Sequence, residues 1–216
     1  YTNEEITIPL DPTQTPGENA QRYFAKYNKQ KRTFEALTEL IQETADDIQY
    51  LESISNALDI ALNEADIAQI KEELMQSRYI RRKHTKKKVK LTSKPMHYIS
   101  SDGYDMYVGK NNLQNEELTF SFANGNDWWF HAKGAPGSHV IVKSGGDELP
   151  DRTFEEAGRL AAYYSKNRGA DKVEIDYIQK KHVKKPNGAK PGFVVYYTNY
   201  SLVIDSDISN IKNVQD

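Results

Sequence analysis

The apolar positions along this chain change period, and the changes divide it into stretches of different structure. Tyr27, Phe34, Ile41, Ile48 and Leu62 share one seam, and Leu37, Leu51 and Leu58 share a second seam beside it. An average spacing of 3.5 residues is coiled-coil periodicity. "TPGE" at residues 15–18 opens the helix. Thr15 suits the N-cap, Pro16 the first helical position, and Glu18 closes a capping box. The pattern predicts a long helix over about 16–62. Asn63 reads as a break and a new cap, and Ile67, Ile70 and Leu74 mark a short helix over about 64–79. Residues 1–80 are therefore expected to form a coiled-coil arm. A short helix cannot cover the whole seam of a long one. The remainder is expected to pair with a segment upstream or with a second copy in a homodimer.

Beyond a linker at 81–94, the pattern turns to alternation broken by turn residues. "MHYIS" and "YDMYVG" flank Asp102-Gly103 as a hairpin. Residues 111–122 read as a short helix. "DWWFHA" and "SHVIVK" read as strands joined by "KGAPG", and "KVEIDYI", "GFVVYYT" and "YSLVIDS" as three more, with a tight turn at "TNYS". The segment from Thr153 to Gly169 predicts a helix, with Thr153 and Glu156 as its capping box and Ala157, Leu160, Ala161 and Tyr164 as its inward stripe. Residues 95–216 are thus expected to be α+β, a mostly antiparallel sheet with one main helix.

Composition sharpens this picture. At 38% apolar residues and a mean hydropathy of −0.78, the 216 residues suffice for one good core beside a solvated helical element. No cysteine is present, which excludes disulfides and thiolate metal sites. No apolar run is long enough to span a membrane, so insertion is not expected. The chain starts at Tyr1 and is expected to be a piece of a longer protein. A formal charge of −2 hides strong segregation. Residues 33–76 carry eleven acids and one base, whereas residues 78–94 carry nine Lys/Arg and no acid. Residues 177–204 again lack acids and hold five lysines, all within "KKHVKKPNGAKPG" at 180–192. Partner choice follows local charge rather than the sum.

Clustered lysines repel one another unless a polyanion offsets the cost, and phosphates do this well. Gly188 and Gly192 permit close backbone approach, while Pro186 and Pro191 limit the entropy lost on binding. A merely solvated loop leaves both the absence of acids and the second basic run unexplained. Nucleic acid is the expected partner. In "HAKGAPGSHV" (residues 131–140), Ser138 and the 134–138 backbone suggest an anion-binding nest flanked by His131, Lys133 and His139; the competing reading is a plain hairpin turn. A Ser138–His139–Asp127 triad is disfavoured, because adjacent strand residues diverge. His131 and His139 alone are too few ligands for a metal site. Trp128, Trp129, Phe130, Tyr163, Tyr164, Tyr177, Tyr196, Tyr197 and Tyr200 interleave with the basic segments, as core or as stacking surfaces for bases. No catalytic motif is legible, and neither enzymatic activity nor a cofactor is expected.

"DWWFHAKGAPGSHV", followed about 40 residues later by "KKHVKKPNGAKPG", resembles the NFACT-R domain of the NFACT family. "LDPTQTPGENAQRYFAKYNK" resembles the entry to that family's central coiled coil. The resemblance implies a coiled-coil arm plus an RNA-contacting R domain. Family members bind the large ribosomal subunit carrying stalled peptidyl-tRNA, and bacterial ones recruit alanyl-tRNA and promote alanine tailing. Streptococcal-type members are also described as surface adhesins for fibronectin or fibrinogen. The positions that carry over are Asp127, Trp129, Phe130, His131, Pro136, Gly137, Ser138 and His139, then Lys181, Val183 to Pro186 and Gly188 to Gly192. The expected RNA-binding residues are Lys181, Lys184, Lys185, Lys190, Ser138, His131, His139 and Lys133, with Arg81, Arg82, Lys86, Lys87 and Lys88 extending the track. A cytoplasmic location is expected, with the cell surface as the alternative.

Overall fold

A computed structural model describes residues 5–81 and 93–214. Arg82, Lys86, Lys87 and Lys88 lie outside the described residues. Contacts divide the chain into two compact units, residues 1–48 and 49–216. The division falls inside the long helix rather than at residue 80.

Helix α1 runs over Pro16–Ile60. The expected capping box forms: Thr15 N–H donates to the Glu18 carboxylate at 2.7 Å, and Glu18 N–H to the Thr15 hydroxyl at 3.3 Å. Buried Asn19 fastens the preceding segment, accepting from Asp11 N–H at 2.8 Å. Within the first unit the seam residues Tyr27, Phe34, Leu37, Ile41 and Ile48 are all exposed. The helix sequence supplies the stripe, but among the described residues nothing covers it.

In the second unit the end of α1 packs on α2 (Glu64–Gln76) through Tyr50, Ile54, Ala57 and Ile70. Asn63 caps α2 as expected, its side chain accepting from Ala65 and Asp66 N–H. The expected antiparallel sheet is present, seven-stranded among the described residues. The strands are β1 (Met96–Ile99), β2 (Asp105–Val108), β3 (Trp128–Ala132), β4 (Val140–Val142), β5 (Val173–Gln179), β6 (Tyr200–Ile204) and β7 (Lys212–Asn213), in the order β6-β5-β3-β4-β2-β1-β7. Alternation sorts their side chains onto two faces. One face carries Phe130, Val140, Val142, Met106 and Ile175 beneath α4 (Asp151–Tyr163), which supplies Ala157, Leu160 and Ala161. The other carries Trp129, Ile141 and Ile178 packed with Leu118 and Phe120 of the π-helical turn Leu118–Phe122, which continues α3 (Asn112–Glu117).

Three local expectations are corrected. Helix α4 begins at Asp151, after Pro150, two residues before the expected cap. Thr153 instead donates to Asp102 at 2.8 Å, and Glu156 accepts from Ser101 N–H at 2.8 Å, so the expected capping pair staples the β1–β2 turn to α4. "GFVVYYT" is not a ladder strand. Gly192 and Thr198 take positive φ angles of 77° and 59°, and only Val195 pairs, in an isolated bridge with Lys184. Strand β6 therefore pairs with β5 rather than with its immediate predecessor. The short edge strand β7, beside β1, had no legible pattern in two residues.

Candidate nucleic-acid interface

The lysine-rich stretch begins where β5 ends. A 3₁₀ turn at Lys180–His182 is pinned by Lys180 N–H to Asp127 C=O at 2.8 Å and Lys181 N–H to Gly125 C=O at 3.0 Å. Asp127 is itself buried and fixes two further segments. Its carboxylate accepts from Asn124 N–H at 2.7 Å, Ser144 N–H at 3.2 Å and the Lys143 ammonium at 2.5 Å. Val183 plugs into the cluster formed by Leu118, Trp129 and Ile178. Lys184 and Val195 then exchange backbone hydrogen bonds of 2.9 and 2.8 Å, closing the loop between them. Proline, glycine and a hydrophobic plug thus produce an ordered loop from a stretch with no secondary-structure period of its own.

Inside that closure, Ala189 N–H bonds Pro186 C=O at 3.2 Å, with Gly188 at φ 74°. Gly192 combines φ 77° with close packing: a Cβ there would stand 2.9 Å from the Asn112 Cβ. Glu116 of α3 grips the loop twice, accepting from Lys185 Nζ at 2.7 Å and Gly192 N–H at 3.3 Å. Lys190 donates to the Tyr79 hydroxyl at 2.8 Å. Lys181 and Lys184 are exposed, and among the described residues no carboxylate lies within ion-pair distance of either. Phe193, Tyr197 and Tyr200, in and after the loop, are exposed as well. Phe193 was not singled out from sequence; its place directly after the Lys-Pro-Gly run was the available signal.

The second motif has a different position. Ser138 N–H donates to Tyr164 C=O at 2.9 Å, and its hydroxyl is buried without a hydrogen-bond partner among the described residues. Ser138 is therefore withdrawn from the expected anion nest: its N–H joins the β3–β4 connection to the end of α4, where Gly137 forms a bridge with Ser165. His139 is also buried. Its Nδ1 meets the Thr119 hydroxyl at 2.8 Å, its N–H donates to Asn115 Oδ1 at 3.0 Å, and its ring meets the backbone of Asn115 and Gly192. Burial, then the neighbouring His131, holds its pKa well below the ordinary value. His131 is pushed down to about 4, again by burial, with Asp176 pulling the other way. Both imidazoles pack on fully buried Trp129, at 5.6 and 5.1 Å between ring centres, and Tyr196 closes the group at 5.0 Å. His139 and Trp129 are core that supports the loop from beneath, and half-buried His131 packs against them rather than standing free on the lysine loop. Trp129 is therefore no stacking surface, and Trp128 is half-buried.

Lys133 is corrected too. It pairs with Glu174 at 2.5 Å, and the register Trp128↔Gln179, Ala132↔Ile175 places it at the far end of β3 from Lys180. Arg81 is exposed and lies two residues from the Tyr79 that Lys190 touches. The structure thus gathers Lys181, Lys184, Lys185 and Lys190 on one loop with Arg81 nearby. It leaves Lys133, Ser138, His131 and His139 out of the exposed cationic surface.

An α+β domain presenting an ordered, acid-free lysine loop is a binding module built for polyanions. Residues 94–198 match the NFACT protein RNA binding domain, and residues 1–93 the NFACT N-terminal and middle domains. The chain belongs to the NFACT family. It is 45% identical over its whole length to the Rqc2 homolog RqcH of Streptococcus pneumoniae serotype 2 (strain D39 / NCTC 7466) and 42% identical over 219 residues, 98% of the chain, to that of Bacillus subtilis (strain 168). It spans 39% and 38% of those relatives' lengths. Among solved structures it is similar to the C-terminal of the fibronectin/fibrinogen-binding protein from Streptococcus suis, with a TM-score of 0.82 and 43% identity, covering 92% of this chain and 79% of that one.

Proposed function

We propose that the 180–192 loop binds RNA for a ribosome-associated quality-control factor, contacting the large ribosomal subunit and tRNA and supporting alanine tailing of stalled nascent chains. Such a module acts in the cytoplasm and performs no chemistry of its own. The observation that carries this reading is the pair of exposed, acid-free ammonium groups of Lys181 and Lys184 on a loop fixed at both ends. Pre-fixed cations lose little entropy on meeting phosphates. Exposed Phe193, Tyr197 and Tyr200 add rings on which unpaired bases can stack. Co-sedimentation with large ribosomal subunits over a salt series tests it. Lys185 is held by Glu116, so if Lys181, Lys184 and Arg81 each neutralise about one phosphate, log K falls against log salt with a slope of about −2 to −3. A flat response, or unchanged binding after charge reversal at Lys181 and Lys184, overturns the reading.

One observation favours a second reading, attachment to fibronectin: the Streptococcus suis protein whose C-terminal part this chain resembles is a fibronectin/fibrinogen-binding protein. Immobilised fibronectin assayed beside the ribosomal subunits separates the two. Loss of ribosome binding alone in the charge-reversed variant favours RNA, and loss of fibronectin binding alone favours the adhesin. The exposed α1 seam is proposed to take a second copy, which sedimentation equilibrium reads as a dimer.

A further inference from the structure

Lys190 differs from Lys181 and Lys184 in what it touches. Its ammonium lies 4.6 Å from the centre of the Tyr50 ring and 5.1 Å from that of Tyr79, and it donates to the Tyr79 hydroxyl at 2.8 Å. The two rings stack 5.5 Å apart at 27°. The cage is rigid from behind. Tyr50 is buried, and its hydroxyl is bonded to Glu73 at 3.0 Å and Ser77 at 2.8 Å. Glu73 in turn accepts from Asn112 at 2.9 Å, the residue against which Gly192 packs. An ammonium set over the Tyr50 ring is attracted by its quadrupole, and the Tyr79 hydroxyl edge takes its hydrogen bond. To reach a phosphate, Lys190 would forfeit both ring contacts and its hydrogen bond.

We infer that Lys190 is a positioning residue: the α1–α2 hairpin holds the basic loop through the Tyr50–Tyr79 cage, so that Lys181 and Lys184 meet RNA from a fixed backbone. The inference rests on the RNA-binding reading of this loop. Lys185 and Gly192 on Glu116, with Lys190 in the cage, tie the loop at three points within eight residues. Lys185 and Lys190 flank Gly188, which takes a φ of 74°; lacking a Cβ, this residue can adopt other backbone conformations once a tie is cut.

The two roles predict different salt behaviour. A phosphate ligand contributes about 0.9 to the salt slope, so its removal flattens the slope. Removal of a positioning residue reduces only the fraction of molecules with a competent loop, which weakens the apparent Kd by that fraction at every salt concentration. RNA binding is therefore measured across a salt series for wild type, Lys190→Met, Tyr79→Ala, Tyr79→Phe and Lys184→Ala. The expected result is a parallel weakening of roughly two- to fivefold for Lys190→Met and Tyr79→Ala, a smaller one for Tyr79→Phe, and a slope flattened by about 0.9 for Lys184→Ala alone. A flattened slope in Lys190→Met, together with unchanged or tighter binding in Tyr79→Ala, overturns the inference. Hydrogen exchange at Lys184, Gly192 and Phe193 amides without RNA gives an independent reading. Faster exchange in Tyr79→Ala supports the cage as the loop's anchor, and wild-type rates refute it. If wild type shows no salt-dependent RNA binding while exchange still quickens, the RNA reading fails and the mechanical one stands.

Discussion

Lys110 and Asp66 show how far a single residue's role depends on its surroundings. In sequence they are one lysine and one aspartate 44 positions apart. In the fold they form a 2.6 Å pair with side chains 6% and 1% exposed. Burial alone would raise the Asp66 pKa, but bonds from Lys110, the Ser93 hydroxyl and Leu62 N–H outweigh it and hold the carboxyl below its usual value. Asp66→Ala leaves a buried ammonium without its counter-charge, so a loss of about 3–5 kcal/mol is expected in urea denaturation, largely restored by adding Lys110→Met. Ser138→Ala removes a buried, unbonded hydroxyl; stability should be unchanged or slightly higher, with RNA affinity unaffected. The histidines set a pH response. His131 and His139 stay neutral in the fold, whereas the unfolded chain takes up protons near their ordinary pKa of 6.5. Stability is therefore full above about 6.5 and declines as pH falls toward 4. Buried Glu73, whose pKa is raised by burial, works in the opposite direction just above 4.5. The denaturation midpoint should drop between pH 7 and pH 5, and less so in His131→Phe.

Among the elements, α1 is one helix with two environments. Its capping box and seam were legible because both depend on residues three or four apart, the range over which a helix brings side chains together. The seam stays exposed in both halves, at Ile41 and at Leu51, Leu58 and Leu62, because the contacts with α2 fall on Tyr50, Ile54 and Ala57 instead. Ile54 is buried against α2, while Ile41 is exposed. Ile54→Ala should cost about 2–4 kcal/mol, and Ile41→Ala under about 0.5 kcal/mol, in the same thermal melt. The loop glycines separate in the same way. Gly188 and Gly192 both hold positive φ, but only Gly192 abuts a neighbour, Asn112. Gly188→Ala meets backbone strain of about 1 kcal/mol. Gly192→Ala adds a steric clash and should lose more stability and more RNA affinity than Gly188→Ala in matched assays.

Over the whole molecule, segregated charge was readable without any fold, because acid-free runs are a property of the string. So were the α+β class, the hairpin at Gly103 and the strands around Trp129. Alternation and turn residues act locally, and a segment's own side chains decide whether it can be a half-buried strand. The tertiary structure decided which polar groups remain available. Ser138 and the two histidines stand within a motif rich in anion-binding residue types, yet the fold buries Ser138 and His139, bonds the Ser138 N–H to Tyr164, and packs half-buried His131 against Trp129. Lys133 and Lys181 look alike in the chain, but antiparallel β3 and β5 carry them to opposite ends of the sheet and give one a carboxylate partner. Exposure and partnership are set by residues far away in sequence, and no local pattern encodes them.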